Sequence, residues 1–77
     1  MKVKELIELY INDGFKDGLE IHTNDFIYCL TEESEVDFDK ESVLLSSFLL
    51  IDREDGECHG LQYSEFVQLE DILEVAF

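Results

Sequence analysis

Leu19-Glu-Ile-His-Thr-Asn-Asp-Phe-Ile-Tyr-Cys-Leu-Thr31 is where the chain changes from helical to extended periodicity. Leu19, Ile21 and Thr23 alternate with Glu20 and His22, the pattern of a half-buried strand. Asn24-Asp25 follows, and both residues tolerate the left-handed conformations of a two-residue hairpin. Phe26, Tyr28 and Leu30 then alternate with Ile27, Cys29 and Thr31 in a return strand. The register this sets pairs Thr23 with Phe26 and Ile21 with Tyr28.

Upstream, Lys2 to Asn12 has helical spacing. Val3, Leu6, Ile7, Tyr10 and Ile11 make one apolar stripe, and Asp13-Gly14 ends it with Gly14 as a left-handed cap. Leu9 falls off the stripe, which predicts a helix partly wrapped by the rest of the domain. The helix is expected to cap the core.

Downstream, the extended run continues through a bend at Glu32 to Ser34 into an acidic stretch. Glu33, Glu35, Asp37, Asp39 and Glu41 occupy every odd position, with Val36 and Phe38 between them. Side chains on a strand alternate faces, so this spacing predicts five carboxylates on one face and the two apolar residues turned inward. Neighbours on such a face are roughly 6.6 Å apart. Phosphates along one DNA strand are separated by about 6 to 7 Å, so the ladder has the pitch of a nucleic-acid backbone.

Val43 to Asp52 reads mainly as a strand, with a helical turn over its first half as the alternative, since Leu44, Leu45 and the flanking acids do not oppose helix. Asp55-Gly56 reads as a hairpin turn into a return strand over Cys58 to Tyr63, with Gly60 marking a bulge. Phe66, Val67 and Leu69 read as a further short strand, Glu70-Asp71 as a 3₁₀ turn, and Ile72 to Phe77 as a last strand or short helix. The sum is one α+β domain over residues 1–77, an N-terminal helix followed by five or six antiparallel strands. Because consecutive strands tend to be neighbours, a meander is expected, closed as an SH3-like or Sm-like small barrel or left as an open sheet under the helix.

Twenty acids against five bases give a net charge of −15 on 77 residues. This charge repels nucleic acid and anionic membrane and favours a basic protein surface as partner. Residues 1–12 hold two acids and two bases, so the remaining chain carries the whole excess. Val43 to Ile51, the longest apolar run, is too short to span a bilayer. The N-terminus lacks the apolar core of a signal peptide. A cytosolic protein is expected.

His22, Cys29, Cys58 and His59 are the candidate soft-metal ligands, but adjacent Cys58 and His59 point to opposite faces of a strand, and no closely spaced Cys pair exists. The acidic loops beginning at Asp37 and Asp52 place Phe48 and Tyr63 where a calcium loop needs its twelfth-position acid. No nucleophile turn or oxyanion donor set is present. No enzyme activity, metal or cofactor is expected.

In size, charge and lack of catalytic motifs the chain resembles small phage-encoded inhibitors: anti-CRISPR, anti-restriction and uracil-DNA glycosylase inhibitor proteins. The likeness is one of composition and transfers no residues. It implies a DNA mimic that blocks the basic channel of a defence nuclease, an RNA-guided nuclease being favoured. Glu33, Glu35, Asp37, Asp39 and Glu41 are the expected partner-binding residues, supported by Glu54, Asp55 and Glu57, with Tyr28, Tyr63 or Phe38 as an apolar anchor. The alternative is a small acidic protein–protein interaction module that docks through a sheet edge or its helix. A halophilic housekeeping domain is a third reading, opposed by the abundance of Leu, Ile and Phe.

Overall fold

The computed structural model describes residues 2–76. Helix α1 (Val3–Asn12) is followed by β1 (Glu20–His22), β2 (Phe26–Cys29), β3 (Glu35–Phe38), β4 (Ser42–Asp52), β5 (Cys58–Gln68), a 3₁₀ turn (Leu69–Asp71) and β6 (Glu74–Ala76). The strands form one curled antiparallel sheet, an α+β half-barrel with α1 packed on its concave side.

The first hairpin has the expected register. Ile21 lies opposite Tyr28, and the Thr23 amide donates to the Phe26 carbonyl at 2.9 Å. Helix α1 buries Ile7 completely and rests Val3, Leu6, Tyr10 and Ile11 against the core, as its stripe requires. Gly14 has a φ of 85°, the left-handed conformation that ends the helix. Leu9 is exposed, so the helix is covered on one face alone and the expectation of partial wrapping fails.

Strand β4 is the spine. On one side it pairs with β5 from Ser42 to Ile51; on the other it pairs with β3 over Val43–Ser46 and with β2 over Leu49–Asp52. Strands β2 and β3 are therefore one extended run with an insertion. Between the pairs Cys29–Leu49 and Glu35–Ser46, the five residues 30–34 face the two residues 47–48. The insertion is a turn closed by Ser34. This fully buried residue accepts from the Thr31 amide at 2.7 Å and donates from its hydroxyl to the Ser47 carbonyl at 2.7 Å.

Ser47 itself has a φ of 60°, the one non-glycine residue with positive φ among those described. Its left-handed backbone resets the alternation of β4. Val43 and Leu45 point into the core, and the next fully buried side chain is Phe48, three residues on instead of two. Strict alternation would have turned Phe48 out. Burying a side chain of this size is worth about 1.5–3 kcal/mol. Phe48 meets Tyr28 edge-on with ring centroids 5.3 Å apart.

Three expectations need correction. Phe66 to Leu69 is not a separate strand, because β5 runs unbroken from Cys58 to Gln68, absorbing the register shift opposite Leu49/Leu50 at Gly60. The chain is not a sequential meander, because β2 pairs with β4 and β6 pairs with β1. The 3₁₀ turn makes this crossing, tied by the Leu69 amide to the Glu41 carbonyl and by the Leu73 amide to the His22 carbonyl. Finally, the acidic ladder is shorter than its sequence spacing implies, since β3 holds only Glu35–Phe38.

Ser34→Ala removes the buried hydroxyl that serves the half-buried Ser47 carbonyl and Thr31 amide at the β4 kink. A fully buried unmet polar group costs about 1–3 kcal/mol, and these part-buried groups fall at the low end of that range. Urea unfolding should show the midpoint lowered with an unchanged slope; an unchanged midpoint would remove Ser34 from the account of the kink.

Candidate acidic interface

Strand β3 places Val36 and Phe38 half-buried against the core and Glu35 and Asp37 exposed on the outer face, where they oppose Ser46 and Leu44 of β4. Glu33 sits in the turn closed by Ser34, and Asp39 and Glu41 in the turn before β4. All five acids are exposed. Two of them share a regular strand face, and the other three flank it on turns. The Asp39 carboxylate is partly engaged locally, accepting from the Lys40 amide at 2.8 Å.

Glu54, Asp55 and Glu57 occupy the exposed β4–β5 turn. Asp52 and Asp55 organise this turn by accepting from the Glu54 and Glu57 amides at 2.9 and 2.8 Å. Gly56 supplies the left-handed residue with a φ of 74°. Asp37 lies opposite Leu44, so eight residues of β4 separate it from Asp52. At about 3.3 Å per residue the two acid groups stand roughly 26 Å apart along the strand, less the shortening at the Ser47 kink. They do not merge into one patch.

A further acidic group was not read from the sequence. Asp25 on the first hairpin turn, Glu65 on β5 and Asp71 on the 3₁₀ turn surround Tyr28 in a cleft of about 310 Å³, with Phe26 and Phe66 on its walls. The phenol is pushed up to about 12. Burial is the largest cause, followed by the charges of Glu65 and Asp25, a hydrogen bond with Glu65, and the charge of Asp71. Asp25 also lines the neighbouring hollow with Asp52, Arg53 and Glu54, which joins this cleft to the β4–β5 turn. The grouping depends on β5 and the 3₁₀ turn folding back over the first hairpin, a long-range contact with no local sequence signal.

The cations do little to neutralise this surface. Arg53 donates from its guanidinium to the Thr23 carbonyl at 3.2 Å, and Lys4 stands 5.6 Å from the centre of the Phe38 ring. Among the described residues the sole ion-pair contact is between His22 and Glu20, at 2.9 Å.

Cys29 and Cys58 are free, Cys29 half-buried and Cys58 exposed. Burial first, then the Glu20 charge and Cys58, push the Cys29 thiol up. No group of three His, Cys, Asp or Glu side chains is arranged to hold a metal among the described residues. No described helix is long and apolar enough to cross a membrane. No protein-family model, curated protein or solved structure matches the chain.

The raised Tyr28 value has a consequence for alkaline stability. Between pH 10.0, its ordinary value, and about 12, the folded phenol keeps a proton that the unfolded chain has released, so this contribution to stability falls as pH rises through the window. Absorbance titration at 295 nm should resolve one late tyrosine near pH about 12 that is absent in Tyr28→Phe. The decline of stability over this range should be shallower in the variant. Identical titration curves would refute the buried, acid-ringed setting of Tyr28.

Proposed function

We propose that the protein is a non-enzymatic inhibitor that presents carboxylates in place of nucleic-acid phosphates and occupies the basic channel of a nucleic-acid-binding protein. The observation that carries this reading is the condition of the acids. Glu33, Glu35, Asp37, Asp39 and Glu41 are all exposed, and none has a Lys or Arg side-chain partner within 4.0 Å among the described residues. A structural acid coat would gain from local pairing with the chain's five cations, two of which instead engage a carbonyl and an aromatic ring. Unpaired carboxylates keep their full attraction for an incoming basic surface and speed its encounter.

Glu35 and Asp37, spaced i to i+2 on the outer face of β3, supply the phosphate-like pitch, and the turn acids Glu33, Asp39 and Glu41 extend it. Glu54, Asp55 and Glu57 form a second contact at the far end of β4. The target favoured by composition is an RNA-guided nuclease, whose duplex-reading arginines are matched by carboxylates. In that setting the protein acts in the host cytosol. The 3₁₀ turn before the last strand supports a relationship with SH3-like small barrels, here left open between β5 and β6.

Reversing Glu35, Asp37 and Asp39 to Lys tests the reading. The three changes shift the net charge from −15 by +6 to −9 and touch no core residue. Inhibition of the target nuclease should fall at least tenfold, with the thermal midpoint unchanged or slightly raised by relief of repulsion. Full inhibition by the folded triple variant would exclude β3 as the recognition surface.

A further inference from the structure

Strand β4 is apolar on both faces, although helix α1 packs on only one face of the sheet. An antiparallel strand with one face in water alternates apolar and polar residues, whereas a strand covered on both sides reads as a near-continuous apolar run. Val43 to Ile51 is of the second kind, broken only by Ser46 and Ser47. Val43, Leu45 and Phe48 are fully buried in the core that α1 caps, and Leu50 packs against that core. Leu44, Leu49 and Ile51 face the other way and are half-buried.

The register carries this apolar surface onto the neighbouring strands. Leu49 stands between Cys29 of β2 and Leu61 of β5, Ile51 between Ile27 and Cys58, and Leu44 opposite Phe66. Leu61 and Phe66 are 54% and 63% accessible. Followed away from β5, each row reaches an acid. Asp37 stands beside Leu44, Glu35 beside Ser46 and Glu20 beside Cys29, while Glu74 is joined to Ile27 through His22. The exposed turn with Glu54, Asp55 and Glu57 closes one end of β4 and β5. An apolar field bordered by charge has the anatomy of a protein-docking surface.

We infer that this outer face docks a basic protein segment whose apolar side chains lie over β4 and β5 and whose Lys or Arg side chains reach the acids of β3, β1 and β6. Charge selects the occupant. A net charge of −15 repels nucleic acid and anionic lipid, and it opposes a second copy of the chain. A partner that is only cationic answers the acids and leaves the apolar rows in water. A segment with apolar side chains flanked by cations answers both. The inference rests on the proposed reading for its acid border, since Glu35 and Asp37 serve in both, and adds an apolar centre. In such a surface the charged border speeds encounter, and the desolvated centre holds the partner once it has docked.

Two synthetic helical peptides with the same number of arginines separate the two contributions, one bearing leucines along one side and the other serines at those positions. Titrated into the isotope-labelled protein and followed by NMR, the leucine peptide should shift amides of β2, β4 and β5. It should bind about tenfold more tightly than the serine peptide. In the variant L61S/F66S, whose replaced side chains are more than half exposed, the two affinities should converge with an unchanged far-UV circular dichroism spectrum. Equal affinity of the two peptides for the wild type would overturn the apolar centre and leave the acid-based reading standing. Binding of neither peptide, shifts confined to α1, or a leucine preference that persists in the folded variant would also overturn the docking face. So would self-association of the protein through these strands, which would give the face to a second copy. The nuclease assay with Glu35, Asp37 and Asp39 reversed decides the inhibitor reading separately.

Discussion

The hydroxyl of Ser34 reaching the carbonyl of Ser47 holds the sheet in its curled form. A residue with a φ of 60° other than glycine pays about 1–2 kcal/mol in backbone strain, and it persists only where its surroundings fix it. Here the surroundings are the turn from Thr31 to Ser34, in which the buried Ser34 hydroxyl answers the kinked carbonyl and the Thr31 amide together. The kink lets one strand bury Val43 and Leu45 beneath β3 and then Phe48 beneath β2. Without it the second half of β4 would show Phe48 to solvent and turn Leu49 and Ile51 inward. The same insertion carries the chain from β2 to β3 and sets where the acids Glu33 to Glu41 emerge.

That geometry explains which features were legible in the sequence. The helix stripe, the Thr23–Phe26 hairpin, the bend at Glu32 to Ser34, the Asp55-Gly56 turn and the Gly60 bulge each rest on neighbours within a few residues, and local chemistry decides them. The bend in particular requires no more than a polar cluster interrupting an extended run. The pairing of β6 with β1 instead of with β5 does not follow from any local pattern. It depends on Ile72 and Val75 finding the core beside Ile21, with the 3₁₀ turn between them.

The acidic surface was legible in the same uneven way. Alternation correctly turned Val36 and Phe38 inward and left Glu35 and Asp37 outside, because β3 is a true strand there. It overreached at Glu33, Asp39 and Glu41, where turns replace the strand and the side chains leave the common face. The Asp25, Glu65 and Asp71 group around Tyr28 required three elements from distant parts of the chain. Its members are separated by forty and six residues, and no spacing rule relates them.

The exposed acids are gathered along β3, on the turns and around Tyr28, where Glu65 of β5 joins Asp25 and Asp71. The central claim is that the acids await a basic partner. Its most direct test is capture of nucleic-acid-binding enzymes on the tagged protein, with salt stepped upward from about 50 mM and duplex DNA added as competitor. The account predicts capture of a DNA- or RNA-binding enzyme that is lost at high salt and displaced by the duplex. Capture that withstands both salt and competitor would contradict it.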